Sequence, residues 1–150
     1  MTYEPRAERL QELSPGDEHL SRRRLAVLLV DPQREAIEPL AAALNRTCDV
    51  SIARSARDAF ASMSARRPDL IATELDLPDL PGAEFLARIH ATPATYHVLL
   101  LVMTHHQSVH DKIAAFQAGA DDYLVKPVDA RDFVKHVQLL SRFQRVLGRS

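Results

Sequence analysis

The sequence holds a single cysteine, Cys48. No disulfide can close within the chain, and the expected compartment is the reducing cytoplasm. Net charge is nearly absent: at -1 over 150 residues, nothing draws the chain as a whole toward nucleic acid or an anionic membrane. Long hydrophobic runs are missing too. The longest are the length of a strand, so no segment is expected to span a bilayer. The N-terminus mixes acids and arginines without an apolar h-region, so no signal peptide is expected. There is no internal repeat, no low-complexity tract and no helix-turn-helix pattern, so neither a DNA-binding nor a catalytic output is expected of this chain.

What is present is an ordinary globular composition, 46% hydrophobic and 26% charged. It fits one domain with an extra segment. Residues 1–23 stand apart as an N-terminal extension. Glu8, Arg9, Glu12, Leu10 and Leu13 could make about two turns of helix before Ser14–Glu18 (SPGDE) breaks it. The expectation is a mobile, partly flexible leader, with docking on the domain or on a second copy as the sharper alternative.

Four apolar runs carry the organisation: Leu25–Asp31, Leu70–Thr73, Val98–Thr104 and Tyr123–Pro127. They end in Asp31, in Glu74 just past Thr73, in Thr104 and in Lys126–Pro127 respectively. Unbroken runs of this kind are expected of strands covered on both faces. A short run at Val50–Ala53 adds an edge strand. Between them lie helical stripes. Ile37, Leu40 and Leu44 mark the first, with Pro39 inside it, so that helix either kinks or starts late. Ser55–Asp58 and Ser108–Asp111 read as capping boxes. The first opens a helix burying Phe60 and Met63, and the second a helix that ends at Ala118–Gly119. A helix from about Ala83 turns Phe85, Leu86 and Ile89 inward. Asp129 can cap a last helix bearing Phe133, Val137 and Leu140, which continues toward Leu147. The order is βαβαβαβαβα: an α/β protein, a doubly wound parallel sheet of five strands. In such a sheet, chemistry collects at the carboxyl ends of the strands. Asp31, Glu74, Thr104 and Lys126 are therefore the candidate site, with Asp76 and Asp79 in the Pro- and Gly-punctuated loop Leu75–Gly82 beside it.

With those residues in place, the chain resembles the receiver domain of two-component response regulators. The spacing of Glu74, Thr104 and Lys126 carries the likeness, together with GADDYLVKP around the lysine, and it extends over roughly Arg24 to Arg142. The resemblance implies a flavodoxin-like (βα)5 receiver fold over residues 24–143, with residues 144–150 extending the last helix. It also implies a site for phosphoryl transfer. Lys126 falls on the phosphate-pairing lysine, followed by Pro127 across a cis peptide bond. Thr104 falls on the hydroxyl position and Tyr123 on the switch aromatic. Asp31 matches the first of two acids that hold Mg²⁺ in the family.

Two positions depart from the family. The second metal-binding acid falls on Pro32, which has no side-chain oxygen. The phosphoacceptor falls on Glu74, whose extra methylene moves the carboxylate by about 1 Å or more, a shift of the kind that can cost about 100-fold in rate. Asp76 sits where the family offers a backbone carbonyl. The reading is a degenerate receiver in which Glu74 pairs with Lys126, with no phosphorylation, no bound metal and no cofactor. It would act in signalling through protein–protein contact. The alternatives are a phosphoacceptor in a phosphorelay, with Mg²⁺ and with Glu74, Asp31, Asp76 or Asp79 as acceptor, or the excised receiver of a larger regulator. The partner surface implied is the fourth helix, fifth strand and fifth helix, facing a protein partner or a second copy; no nucleic acid or membrane is expected. His105, beside the site, is expected to close the pocket. His106 and His110, spaced i, i+4, could present two metal ligands but lack a third, and a solvated histidine-rich loop is the plainer account.

Overall fold

A computed structural model describes residues 24–147; the expectations for residues 1–23 lie outside the described residues. Five strands and five helices alternate: β1 Leu25–Val30, α1 Arg34–Leu44, β2 Cys48–Ala53, α2 Ala56–Ala65, β3 Leu70–Thr73, α3 Gly82–Ala91, β4 Leu99–Thr104, α4 Val109–Gln117, β5 Asp122–Val125 and α5 Ala130–Leu147. The strands form one parallel sheet in the order β2-β1-β3-β4-β5. Strand order reverses beside β1, the switch point where doubly wound sheets bind their ligands.

Both faces of the sheet are covered, which explains the unbroken apolar runs. Leu28, Val30, Ile71, Leu100 and Val102 point toward α2, α3 and α4, where they meet Met63, Phe85, Leu86, Ile89 and Ala115. The alternate residues Val27, Leu29, Leu70, Ala72, Leu101 and Met103 point the other way. There they meet Ile37, Leu40 and Leu44 of α1 and Phe133 and Val137 of α5. Phe133, Phe85 and Leu86 are fully buried, and burying a large apolar side chain is worth about 1.5–3 kcal/mol each.

Three local expectations change. Helix α1 begins at Arg34, ahead of Pro39, and runs through it, so the late start is corrected. Pro39 lies on the exposed face, where water can satisfy the carbonyl that its missing N–H leaves free. β2 starts at Cys48 rather than Val50, because Cys48 and Asp49 pair with Leu25 and Ala26. Phe60 is half-buried rather than buried and meets Phe85 edge-on, with ring centroids 5.3 Å apart.

The caps follow the sequence. Ser55 Oγ accepts from Asp58 N, and Ser108 Oγ accepts from Asp111 N. After α4 the chain turns at Gly119 with φ +120°, where a Cβ would also stand 2.9 Å from the His90 side chain. Gly82 opens α3 for a different reason: a Cβ there would lie 2.5 Å from Leu75 Cα and 2.6 Å from Leu75 O. The loop after β3 closes on itself at that contact. Leu75 O accepts from both Leu77 N and Gly82 N, and Asp76 bridges to Pro81.

Candidate functional site

The site forms at the carboxyl edge of the sheet, where the ladder runs one residue past three strands. Asp31 N donates to Ala53 O, Glu74 N to Val30 O and Lys126 N to Thr104 O, at 3.0, 2.9 and 2.8 Å. These bonds hold the three backbones in register, so their side chains converge. Lys126 Nζ donates to Asp31 Oδ2 at 2.7 Å and to Glu74 Oε1 at 2.9 Å. All three side chains are buried, with relative exposures of 7%, 1% and 6% for Lys126, Asp31 and Glu74.

The other carboxylate oxygens are engaged by the backbone. Asp31 Oδ1 accepts from Gln33 N at 2.8 Å. Glu74 Oε2 accepts from Leu75 N at 2.6 Å and from Asp76 N at 3.1 Å. Burial works to raise the Glu74 pKa, while the neighbouring Thr104 hydroxyl, Lys126 and the Asp76 N–H lower it; the lowering prevails. For Lys126, burial works to lower the pKa, and the two carboxylates raise it above its ordinary value. Both shifts favour the charged forms.

The sequence brings together Asp31, Glu74, Thr104 and Lys126, all buried. It does not bring Asp76 into that cluster. Asp76 is exposed and faces His106, whose Nε2 lies 2.9 Å from both carboxylate oxygens. The Nδ1 of the same ring lies 3.0 Å from Asp111 Oδ2. One imidazole thus joins the β3–α3 loop to the first turn of α4, across a cleft of about 720 Å³ that Pro32 also lines. The carboxylates of Asp76 and Asp111 raise the His106 pKa, since only the imidazolium donates from both nitrogens.

His105, expected to close the pocket, is exposed on the other side. It lines a small cavity with Pro39, Lys126 and Pro127. His106 takes the closing role instead, because successive residues past a strand end point to opposite faces. His110 is exposed. Asp79 is also directed away from the cluster: its two oxygens accept from Ala56 N and Arg57 N at 2.9 and 2.8 Å, capping α2 from a distance. Those N–H groups hold its pKa below the usual carboxylate value.

Tyr123 is half-buried and donates its hydroxyl to His106 O at 2.9 Å. Its ring lies beside Phe116 and beneath the Lys112 ammonium, 6.0 Å from the ring centroid. The Lys126–Pro127 peptide is cis. Sequence reasoning missed three links: Asp31 as the lysine's second partner, His106 as the clamp and Asp79 as the cap. The first had a signal, because an acid ending β1 must neighbour an acid ending β3 once β1 and β3 pair.

The model of the response regulator receiver domain matches residues 27–138. The chain belongs to that family. As a receiver it is similar to response regulator MprA of Mycolicibacterium vanbaalenii, 31% identical over 77% of this chain and 50% of that protein. It is also similar to transcriptional regulatory protein BasR of Escherichia coli, 40% identical over 64% of this chain and 42% of that protein. Among solved structures, the chemotaxis response regulator CheY4 of Vibrio cholerae superposes with a TM-score of 0.73 at 25% identity, covering 77% of this chain and 98% of that one. The chain therefore spans about half the length of the curated relatives it matches, and nearly all of a single receiver.

Two outcomes follow from the geometry. Lys126→Met leaves two buried carboxylates facing each other without a cation and should cost about 3–5 kcal/mol. Glu74→Gln leaves Asp31 on the lysine but sets an amide NH2, which cannot accept, against either the lysine or the two backbone N–H groups, and should cost about 1–3 kcal/mol. Urea unfolding at neutral pH measures both, and equal losses would show that the lysine does not neutralise the pocket.

The second concerns His106. A raised pKa means that its contribution is complete below the ordinary value of 6.5 and is lost as pH rises through the folded value. An NMR titration should place the His106 midpoint above 6.5. The midpoint should fall when Asp76 and Asp111 are both changed to Asn, and an unmoved midpoint would show that the two carboxylates do not hold the ring.

Proposed function

We propose that this receiver works as a signalling module through protein contact, in the cytoplasm, without phosphorylation and without Mg²⁺. The observation that carries the reading is the closed trio of Asp31, Glu74 and Lys126. Glu74 stands at the family's acceptor position with one oxygen on the lysine and the other on two backbone N–H groups. To attack a phosphoryl donor it would have to give these up.

The donor set also fits Mg²⁺ poorly. That ion requires near-octahedral oxygen coordination at about 2.0–2.1 Å. Asp31 is committed to Lys126 and Gln33 N, Asp76 faces His106, and Pro32 has no side-chain oxygen to offer. In place of a phosphoryl group, the carboxylate of Glu74 occupies the lysine permanently. It has less charge and fewer acceptor oxygens than a phosphoryl group.

The output surface is the face of α4, β5 and α5. Val109, Ile113 and Phe116 of α4 and Leu139 and Phe143 of α5 are exposed there. Scattered apolar residues are ordinary on a surface; two stripes flanking one strand are what a protein partner or a second copy would cover. Tyr123 links this face to the pocket through its bond to His106 O. Relatives twice as long, named as transcriptional regulators, favour a second reading: this receiver is the regulatory part of a longer protein.

Intact mass after incubation with acetyl phosphate and Mg²⁺ tests the proposal. The expected result is an unchanged mass. Stoichiometric gain of a phosphoryl group would overturn it and favour the phosphorelay alternative.

A further inference from the structure

On the face opposite α4, helices α1 and α5 enclose a groove of about 480 Å³. Its floor is apolar and low, with Ala42, Ala43 and Val134, and its rim is cationic, with Arg46, Arg131 and Lys135. The three rim cations are exposed. Among the described residues, the arginine and lysine ion pairs involve Arg24, Arg34, Arg66, Arg88 and Lys126. The rim cations are not among them. Positive charge without an ion pair among the described residues, around a floor of small side chains, fits a segment of acidic character that can lie close to the backbone.

We propose that the occupant is the Glu4–Leu13 segment of this same chain, its carboxylates set against Arg46, Arg131 and Lys135. Three observations support this occupant. Within Glu4–Leu13, three glutamates stand against two arginines, Arg6 and Arg9. Glu4, Glu8 and Glu12 recur every fourth residue, a spacing that puts them on one face of a helix. The described chain also begins beside the groove: Arg24 Nη2 donates to Asn45 O and to Cys48 O, both at 2.6 Å, on either side of Arg46 and Thr47.

Reach does not limit the docking. The stretch from Glu12 to Arg24, extended at about 3.3–3.6 Å per residue, spans about 40 Å, against about 16 Å for the whole of α1 at 1.5 Å per residue. Exposed ion pairs are individually weak. Tethering compensates by holding the segment at an effective concentration on the order of millimolar.

The test is amide NMR on the full chain and on its Glu4→Gln/Glu8→Gln/Glu12→Gln variant, which leaves the folded domain untouched. Docking predicts shifted amides at Ala42, Ala43, Thr47, Arg131 and Val134. The shifts should be the same at low and high protein concentration, and high salt should reproduce them in the unmutated chain. Groove amides that ignore the substitutions would overturn the proposal. So would shifts that appear only at high concentration, which would assign the groove to a second copy.

Discussion

One buried lysine facing two buried carboxylates sets the terms for this molecule. A single cation cannot neutralise two anions, and water is nearly excluded from the site. The surplus negative charge must be met by fixed dipoles, and the backbone supplies them. Gln33 N turns back onto Asp31, while Leu75 N and Asp76 N turn back onto Glu74. Such charge-assisted bonds are roughly twice as strong as neutral ones. They dictate how the chain leaves β1 and β3, and so where α1 begins and how the Leu75–Gly82 loop folds. The close approach of Gly82 to Leu75 follows from that turn. The site is therefore also a structural joint that ties β1, β3 and β5 at one edge.

The same joint explains what surrounds it. With proline at position 32, one wall of the pocket carries no acid. On the other wall, Asp76 is free to face outward, where His106 takes it up together with Asp111. The clamp strengthens toward acid and loosens toward base, because both of its anions favour the imidazolium. Tyr123 hangs from the backbone of the same histidine, and Phe116 lies beside its ring. Direct contacts thus run from the buried trio, through Asp76 and His106, to the exposed face of α4 and β5.

Much of this was legible in the residues. The apolar runs were long enough to be strands and too unbroken for a sheet with one wet face, which gave the doubly wound arrangement. Their terminal residues then fell on one edge, which gave Glu74 with Lys126. Helix stripes such as Phe85, Leu86 and Ile89 showed which side chains would be buried. Less legible were links that depend on direction rather than sequence position. His105 and His106 are neighbours in sequence but face opposite sides of the sheet, and composition cannot tell which one meets a carboxylate. Asp79 caps a helix that begins 23 residues earlier, a contact that exists only once the loop has closed. Pro39 misled because proline's cost in a helix depends on whether the freed carbonyl faces water.

The central claim is that the pocket is closed to metal and phosphoryl group by its own ion cluster. Amide NMR with Mg²⁺ alone, and then with beryllofluoride as a mimic of the bound phosphoryl group, tests it most directly. The account predicts flat spectra at Asp31, Glu74, Thr104 and Lys126 in both cases. Saturable shifts spreading from Glu74 to Tyr123 would contradict it, and would mean that the phosphorylation switch survives despite Pro32 and the glutamate.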